Sequence, residues 1–232
     1  MIITEAVAGI REKILKAALR SGRNPDEIRL MGVSKFHGIN EIEEAWQQGG
    51  IRLFGESRVQ EAADKFAGFS AGHPGTELHL IGSLQRNKAK AACALFDCIQ
   101  SVDREALITG LGDLTAHQDR PLGILLELHT GEETKTGFPD EDSLCRAVEQ
   151  VLSYPGLALR GLMTMAPYTD DERIIRASFR ALAGARNRLE ARFPDCDWSC
   201  LSMGMSSDFE IAIEEGSTII RIGTALFGER RT

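Results

Sequence analysis

Short apolar runs recur along this chain with room for a helix between them, and this alternation most constrains the fold. Eight runs are candidate strands, at 29–34, 51–54, 77–82, 97–102, 122–129, 158–165, 198–203 and 218–222. Most are almost continuously apolar, which is typical of parallel strands covered on both faces. Eight strand-then-helix units predict a closed (β/α)8 barrel of the TIM type.

The segments around these runs support the same architecture. Apolar residues at helical spacing over 3–20 predict an extra helix before the first strand. Patterns over 140–152 and 173–192 are long enough for helices that cross back over a sheet. An open doubly wound sheet is the rival, but it would place a Gly-rich turn after the first strand, where this chain has Ser-Lys-Phe-His at 34–37. With no Pro/Gly-rich linker, we expect a single domain over 1–232.

Composition narrows the classes of function. Lys plus Arg total 27 and Asp plus Glu total 34, so the formal charge of −7 argues against a general binder of nucleic acid or anionic membranes. No apolar run reaches transmembrane length, and the amphipathic N-terminus is unlike a signal peptide. The five cysteines are odd in number and irregularly spaced, which suits a reducing compartment. We therefore predict a cytoplasmic protein without a metal site.

Lys35 ends the first predicted strand, and chemistry in such barrels occurs at the carboxyl ends of the strands. Partial burial there would disfavour the ammonium form and leave more of the neutral, nucleophilic amine, which suits imine formation. The alternative is a lysine whose stem packs on the barrel rim while its head reaches water.

Small and hydroxyl-bearing residues follow the last two predicted strands. Ser206 and Ser207 come after strand 7, and Gly223 and Thr224 come after strand 8. Phosphate sites commonly form at these two places, because glycine lets the backbone approach an anion and hydroxyls add donors. Simple small-residue turns are the alternative. Two such turns, together with Lys35, indicate a phosphorylated aldehyde held as an imine.

Arg221 lies at the carboxyl end of strand 8, next to these turns. Its charge is permanent near neutral pH. Placed against a pyridine nitrogen, it would keep that nitrogen unprotonated and so restrain carbanion chemistry. An ion pair with Asp208 or Glu210 is the competing explanation.

Several motifs, spread from about residue 30 to 228, carry a family resemblance. They are Val33-Ser34-Lys35, Phe54-Gly55-Glu56, Val59-Gln60-Glu61, His79-Leu80-Ile81-Gly82, Leu84-Gln85, Asn87-Lys88, Ser101-Val102-Asp103, Gly131-Glu132-Glu133, Lys135-Thr136-Gly137, Arg160-Gly161-Leu162-Met163, Leu201 to Asp208 and Arg221 to Gly228. In these motifs the chain resembles the pyridoxal phosphate homeostasis proteins, which are similar to the N-terminal barrel of alanine racemase.

The resemblance implies a set of residues that bind pyridoxal 5'-phosphate (PLP). They are Lys35, Ser57, His79, Met203, Ser206, Ser207, Arg221, Gly223 and Thr224. Lys35 would hold PLP as an internal aldimine, the residues of the last two turns would hold the phosphate, and Arg221 would face the pyridine nitrogen. Met203, with Ile81 and Met163, would pack against the ring or the pocket wall, and His79 would line the pocket beneath the cofactor.

The chain departs from the family pattern at a few positions. The usual Gly-Glu-Asn-Tyr-Val-Gln-Glu has Ser57 in place of asparagine and Arg58 in place of tyrosine. Ser83 replaces a proline, and Leu128 replaces an asparagine of strand 5. These changes bear on details of the pocket rather than on the lysine or the phosphate turns.

Three functions are compatible with this pattern. The resemblance implies a carrier of PLP in vitamin B6 and amino-acid homeostasis, with at most weak racemase-like activity and with PLP-dependent apoenzymes as partners. We expect the carrier to be a monomer. The alternative is a PLP-dependent amino-acid racemase; such enzymes take a second acid/base tyrosine from an added C-terminal domain, which we do not expect here, so Tyr168 would have to serve. The third possibility is a Schiff-base aldolase that uses Lys35 on a sugar phosphate.

Overall fold

A computed structural model describes residues 2–131 and 136–229. Within these ranges parallel strands close into one barrel in the order β1 to β8, with β8 paired to β1. The strands are β1 Arg29–Val33, β2 Leu53–Glu56, β3 Glu77–Leu80, β4 Cys98–Val102, β5 Leu122–Glu127, β6 Leu157–Met163, β7 Cys200–Ser202 and β8 Ile219–Ile222. The predicted (β/α)8 barrel is confirmed.

Helices connect the strands and cover the outside of the barrel. They are α1 Ile3–Arg20, α2 Ile39–Gln47, α3 Val59–Phe66, α4 Phe69–Gly72, α5 Ala89–Leu95, α6 Glu105–Thr115, α7 Glu141–Leu152, α8 Glu172–Arg192, α9 Phe209–Glu214 and α10 Thr224–Phe227. Helix α1 matches the predicted range. Strand β2 starts two residues later than predicted, because the Ile51 amide donates to the Ala45 carbonyl and closes the end of α2.

The main core lies between the outer face of the strands and the inner face of the helices. Phe54 and Ile99 from the strands, and Phe179 of α8, are fully buried in it. Helix α1 adds Val7 and Ile10 to the same core and packs against α9 and α10. Strands covered in this way must be apolar on both faces, which explains the continuous runs in the sequence.

The barrel has two mouths with different surroundings. The carboxyl ends of the strands and the turns that follow them form the upper mouth, and the amino ends form the lower mouth. Since side chains alternate along a strand, residues two apart on the inner face lie in successive layers between the mouths.

Candidate functional site

A cavity of about 680 Å³ opens at the upper mouth. Its walls come from the ends of β1 to β8 and the turns after them. The lining residues are Val33, Lys35, Ser57, Ile81, Gly82, Ser83, Ser101, Glu127, Thr136, Met163, Met165, Tyr168, Met205, Ser206, Ser207, Arg221, Gly223 and Thr224. The amine, the hydroxyl groups and the guanidinium predicted from the sequence therefore share one cavity.

Lys35 lies in the tight turn that follows β1. The half-buried lysine is preceded by the fully buried Ser34 and followed by Phe36, whose φ is +69°. The next residue, His37, is buried and stacks on Phe227 of α10 with 5.0 Å between ring centroids. This stack joins the lysine turn to the helix that begins beyond β8.

The turns after β7 and β8 meet at the cavity. Asp208 shapes the first, because its Oδ1 accepts a hydrogen bond from the Met205 amide at 2.5 Å. The Ala225 amide then donates to Ser206 Oγ at 3.3 Å and so connects the two turns. Hydroxyl groups and backbone N–H groups at the start of α10 are suitable donors for a phosphate.

Gly204 sets the path of the chain between β7 and Ser206. Its φ is +94°, and an added Cβ would lie 2.5 Å from Cβ of Ala212. Its carbonyl accepts from the Arg221 amide at 2.9 Å, which ties this turn to the end of β8. A side chain at this position would be strained and would displace α9.

Arg221 is a buried guanidinium held by neutral acceptors. Nη1 donates to Ser202 Oγ and Nη2 donates to the Thr164 carbonyl, each at 2.8 Å. Among the described residues no carboxylate pairs directly with it, so the alternative of an ion pair with Asp208 or Glu210 is not realised. Burial lowers the pKa of Arg221 to about 10, opposed by the more distant charges of Asp208 and Glu127, and the side chain is protonated at neutral pH.

A buried polar chain runs from Arg221 down the inside of the barrel. Ser202 Oγ accepts from Arg221 and donates to Gln100 Oε1 at 2.6 Å. The Gln100 amide nitrogen then faces His79 Nδ1 at 2.9 Å, and His79 Nε2 lies 3.4 Å from Glu77. Because Gln100 Oε1 is already an acceptor, its nitrogen is the donor, and His79 carries its proton on Nε2.

Two predicted site residues lie outside the upper cavity. His79 lines a different cavity, at the lower mouth with Arg29 and Cys98, because it lies one inward layer below Ile81, the residue that follows β3. Met203 is fully buried in the core outside the barrel, since alternation turns Ser202 inward and Met203 outward. Its place beside the cavity is taken by Met205, which the sequence reasoning missed.

Glu127 is another lining residue that the sequence reasoning missed. It ends β5, is buried, and accepts a hydrogen bond from Thr136 Oγ1 at 3.4 Å. Burial raises its pKa to about 7, with Asp103 adding to the shift and Arg221 opposing it. The sequence feature that could have identified Glu127 is its position as an acidic residue within the mostly apolar run of strand 5.

Three of the positions that depart from the family pattern, Ser57, Arg58 and Ser83, lie on one side of the mouth. Ser57 and Ser83 line the upper cavity and also a neighbouring cleft with Arg58, whose guanidinium lies 5.5 Å from the centre of the Phe36 ring. Leu128 is buried in the core. Tyr168 borders the cavity from outside, with 95% of its surface exposed.

Two negative findings concern the described ranges 2–131 and 136–229. No group of three or more His, Cys, Asp and Glu side chains there is arranged to hold a metal ion. No helix in those ranges is both long and apolar enough to cross a membrane.

Comparison with known proteins places this chain in a family. The model of the alanine racemase N-terminal domain matches residues 10–231. A pyridoxal phosphate homeostasis protein of Escherichia coli K12 is 41% identical over 233 residues, which cover 98% of this chain and 97% of that protein. The chain belongs to the pyridoxal phosphate homeostasis protein family. The Vibrio cholerae family member is 38% identical over 231 residues, covering 98% of this chain and 96% of that one.

Solved structures agree with this assignment. PipY of Synechococcus elongatus PCC7942, in a structure with PLP bound, superposes with a TM-score of 0.85 at 35% identity, over 97% of this chain and all of that one. Alanine racemase of E. faecalis is 20% identical, with a TM-score of 0.67 over 97% of this chain and 58% of that enzyme. The second likeness reflects a shared barrel fold.

Proposed function

We propose that this chain is a PLP carrier of the cytoplasm, which binds PLP reversibly through Lys35 and exchanges it with PLP-dependent apoenzymes. One observation carries the proposal: Lys35 lines the same cavity as the turns after β7 and β8. When bound, PLP supplies an aldehyde carbon that condenses with a primary amine, with loss of water. The relatives of this chain include pyridoxal phosphate homeostasis proteins and PipY, whose structure has been solved with PLP bound.

The residues around the cavity fit PLP in number and chemistry. Ser206, Ser207 and Thr224 supply hydroxyl donors for a phosphate, and Gly223 lets the backbone approach it. Met163 and Met205 supply apolar surface for a ring. Lys35 supplies the amine.

Arg221 is the proposed partner of the pyridine nitrogen. Its two donors that bond to Ser202 and Thr164 fix the guanidinium, which stays protonated and can only donate. A donor at this place leaves the ring nitrogen unprotonated and weakens its ability to withdraw electrons. This favours storage of the cofactor over turnover of amino acids.

PLP titration tests the proposal. We expect wild-type protein to develop a visible absorption band with one PLP per chain, and Lys35→Ala to lose it. Lys88→Ala is the matched control, because Lys88 is an exposed lysine of the neighbouring cleft and should titrate like wild type. Equal bands in all three proteins would contradict the assignment of Lys35.

Transfer to an apoenzyme tests the carrier role. Loaded protein, freed of unbound PLP, should restore the activity of a PLP-dependent apoenzyme as its own band declines. If the band persists while the apoenzyme stays inactive, exchange is refuted.

Exchange of the α-proton of amino acids in deuterated water separates a carrier from a racemase. We expect no exchange beyond that caused by free PLP, and no effect of Tyr168→Phe. Rapid exchange that is lost in this variant would favour a racemase. Colourless protein that traps a sugar phosphate under borohydride would favour an aldolase.

A further inference from the structure

The turn that carries Lys35 has a backbone that its sequence alone does not favour. Among the described residues Phe36 is the only one other than glycine with a positive φ, at +69°. Side chains with a Cβ rarely adopt this conformation, and it persists only where the surroundings impose it. Its surroundings therefore bear on where the Lys35 side chain points.

Lys65 of α3 bonds to the backbone on both sides of Lys35. Its Nζ donates to the Ser34 carbonyl at 2.8 Å and lies 3.3 Å from the His37 carbonyl. Between these carbonyls, the Phe36 amide donates to Glu61 Oε1 at 2.5 Å. The groups that flank Lys35 are thus bonded to one face of α3.

Two carboxylates hold the Lys65 ammonium in place. Nζ lies 2.6 Å from Glu56 Oε1 and 2.9 Å from Glu61 Oε1, and the side chain is only 11% exposed. Glu56 is fully buried and also accepts from Ser34 Oγ at 2.7 Å, while its Oε2 has no partner. Burial raises the pKa of Glu56, opposed by its bonds to Lys65 and Ser34. Such a cluster is costly to assemble, and removing one partner would leave a buried charge uncompensated.

We propose that Lys65, clamped between Glu56 and Glu61, is a positioning residue that keeps the Lys35 turn in the conformation presenting its amine to the cavity. This inference rests on the proposed binding of PLP at Lys35. The turn after β8 lies beside the Lys35 turn and touches it through the stack of Phe227 on His37. Among the described residues, the side-chain hydrogen bonds of the two phosphate turns join these turns to each other, and none of them reaches Lys65, Glu56 or Glu61. Loss of the clamp should therefore weaken the covalent part of binding and spare the phosphate part.

Two ligands distinguish the covalent contribution to binding from the contribution of the phosphate. PLP has the aldehyde that reacts with Lys35, whereas pyridoxine 5'-phosphate has an alcohol in its place and binds through its phosphate and ring only. The main variant is Glu56→Gln with Lys65→Met, which removes the ammonium together with the fully buried carboxylate. Glu61, whose side chain is 23% exposed, keeps the hydrogen bond from the Phe36 amide. The control is Lys16→Met, because Lys16 makes an equivalent pair with Glu12, four residues earlier, on the exposed surface.

We expect the double variant to bind PLP about tenfold more weakly, because fewer molecules hold the competent turn. Pyridoxine 5'-phosphate should bind as it does to wild type, and Lys16→Met should change neither affinity. Glu61→Gln, a milder change, should weaken PLP binding about threefold and leave the binding of pyridoxine 5'-phosphate unchanged. This variant replaces the double variant in the test if the double variant does not fold.

The outcomes separate the inference from the function on which it depends. Unchanged PLP binding in both variants, or an equal loss for the two ligands, would overturn the role of Lys65. Wild-type protein that binds pyridoxine 5'-phosphate and PLP equally, without an absorption band, would instead refute the proposed function.

Discussion

Ser202 links the buried guanidinium of Arg221 to Gln100 inside the barrel, so Ser202→Ala should destabilise the folded protein. The change removes one of the two acceptors of Arg221 and the donor to Gln100, all within the interior. A hydrogen bond to a charged group contributes about 1.5–3 kcal/mol, and a neutral one about 1 kcal/mol. We therefore expect Ser202→Ala to lower the free energy of unfolding by about 2–4 kcal/mol.

A double-mutant cycle tests whether the chain acts as a unit. Gln100→Leu removes the acceptor of Ser202 and the donor to His79 and should cost about 1–3 kcal/mol. Because both variants break the same Ser202–Gln100 bond, the double variant should cost about 1 kcal/mol less than the sum of the single ones.

Urea unfolding followed by circular dichroism measures these differences. Ser70→Ala, a change on the exposed surface, is the control and should shift stability by less than about 0.5 kcal/mol. If Ser202→Ala resembles this control, or if the two single costs simply add, the hydrogen-bonded chain is not an energetic unit.

Three further predictions follow from the cavity and the strands. The pKa of Glu127, about 7, lies above its ordinary value of 4.5, so the stability that the protonated side chain contributes is lost as pH rises through about 7. In urea unfolding, Glu127→Gln should therefore be more stable than wild type by up to about 3 kcal/mol at pH 8 and equal to it near pH 4. Gly161→Ala should cost more than about 3 kcal/mol in thermal unfolding, because φ is +135° and the new Cβ would overlap the Cys200 carbonyl, whereas Gly110→Ala, in an open helical position, should stabilise by about 0.5–1 kcal/mol. Thr224→Val should weaken the binding of pyridoxine 5'-phosphate about fivefold in calorimetry, which corresponds to a loss of about 1 kcal/mol. An unchanged affinity would show that Thr224 does not bind the phosphate.

The barrel architecture could be predicted because a strand that is buried on both faces consists of a continuous run of apolar residues. The same logic located Lys35 and Arg221, since each lies at the carboxyl end of such a run and the carboxyl ends of the strands meet at one mouth. Small and hydroxyl residues after the last two runs gave Ser206 and Thr224 in the same way.

Depth within the barrel could not be predicted from the pattern. Alternation shows that His79 faces inward, but the stagger of the strands decides whether an inward residue lies near the upper or the lower mouth. Beyond β7 the alternation itself ends at Gly204, whose positive φ brings Met205 to the cavity in place of Met203.

Contacts between distant elements were also beyond the sequence. Lys65 reads as an ordinary surface lysine of an amphipathic helix. Only the packing of α3 against the end of β1 brings its amine between Glu56 and the Ser34 carbonyl.

Borohydride reduction of PLP-loaded protein, followed by peptide mass mapping, identifies the amine that holds PLP. We expect one phosphopyridoxyl group per chain, attached to Lys35, and less labelling when excess pyridoxine 5'-phosphate competes for the cavity. Labelling spread over exposed lysines such as Lys16 and Lys88, or none at Lys35, would refute the role of Lys35.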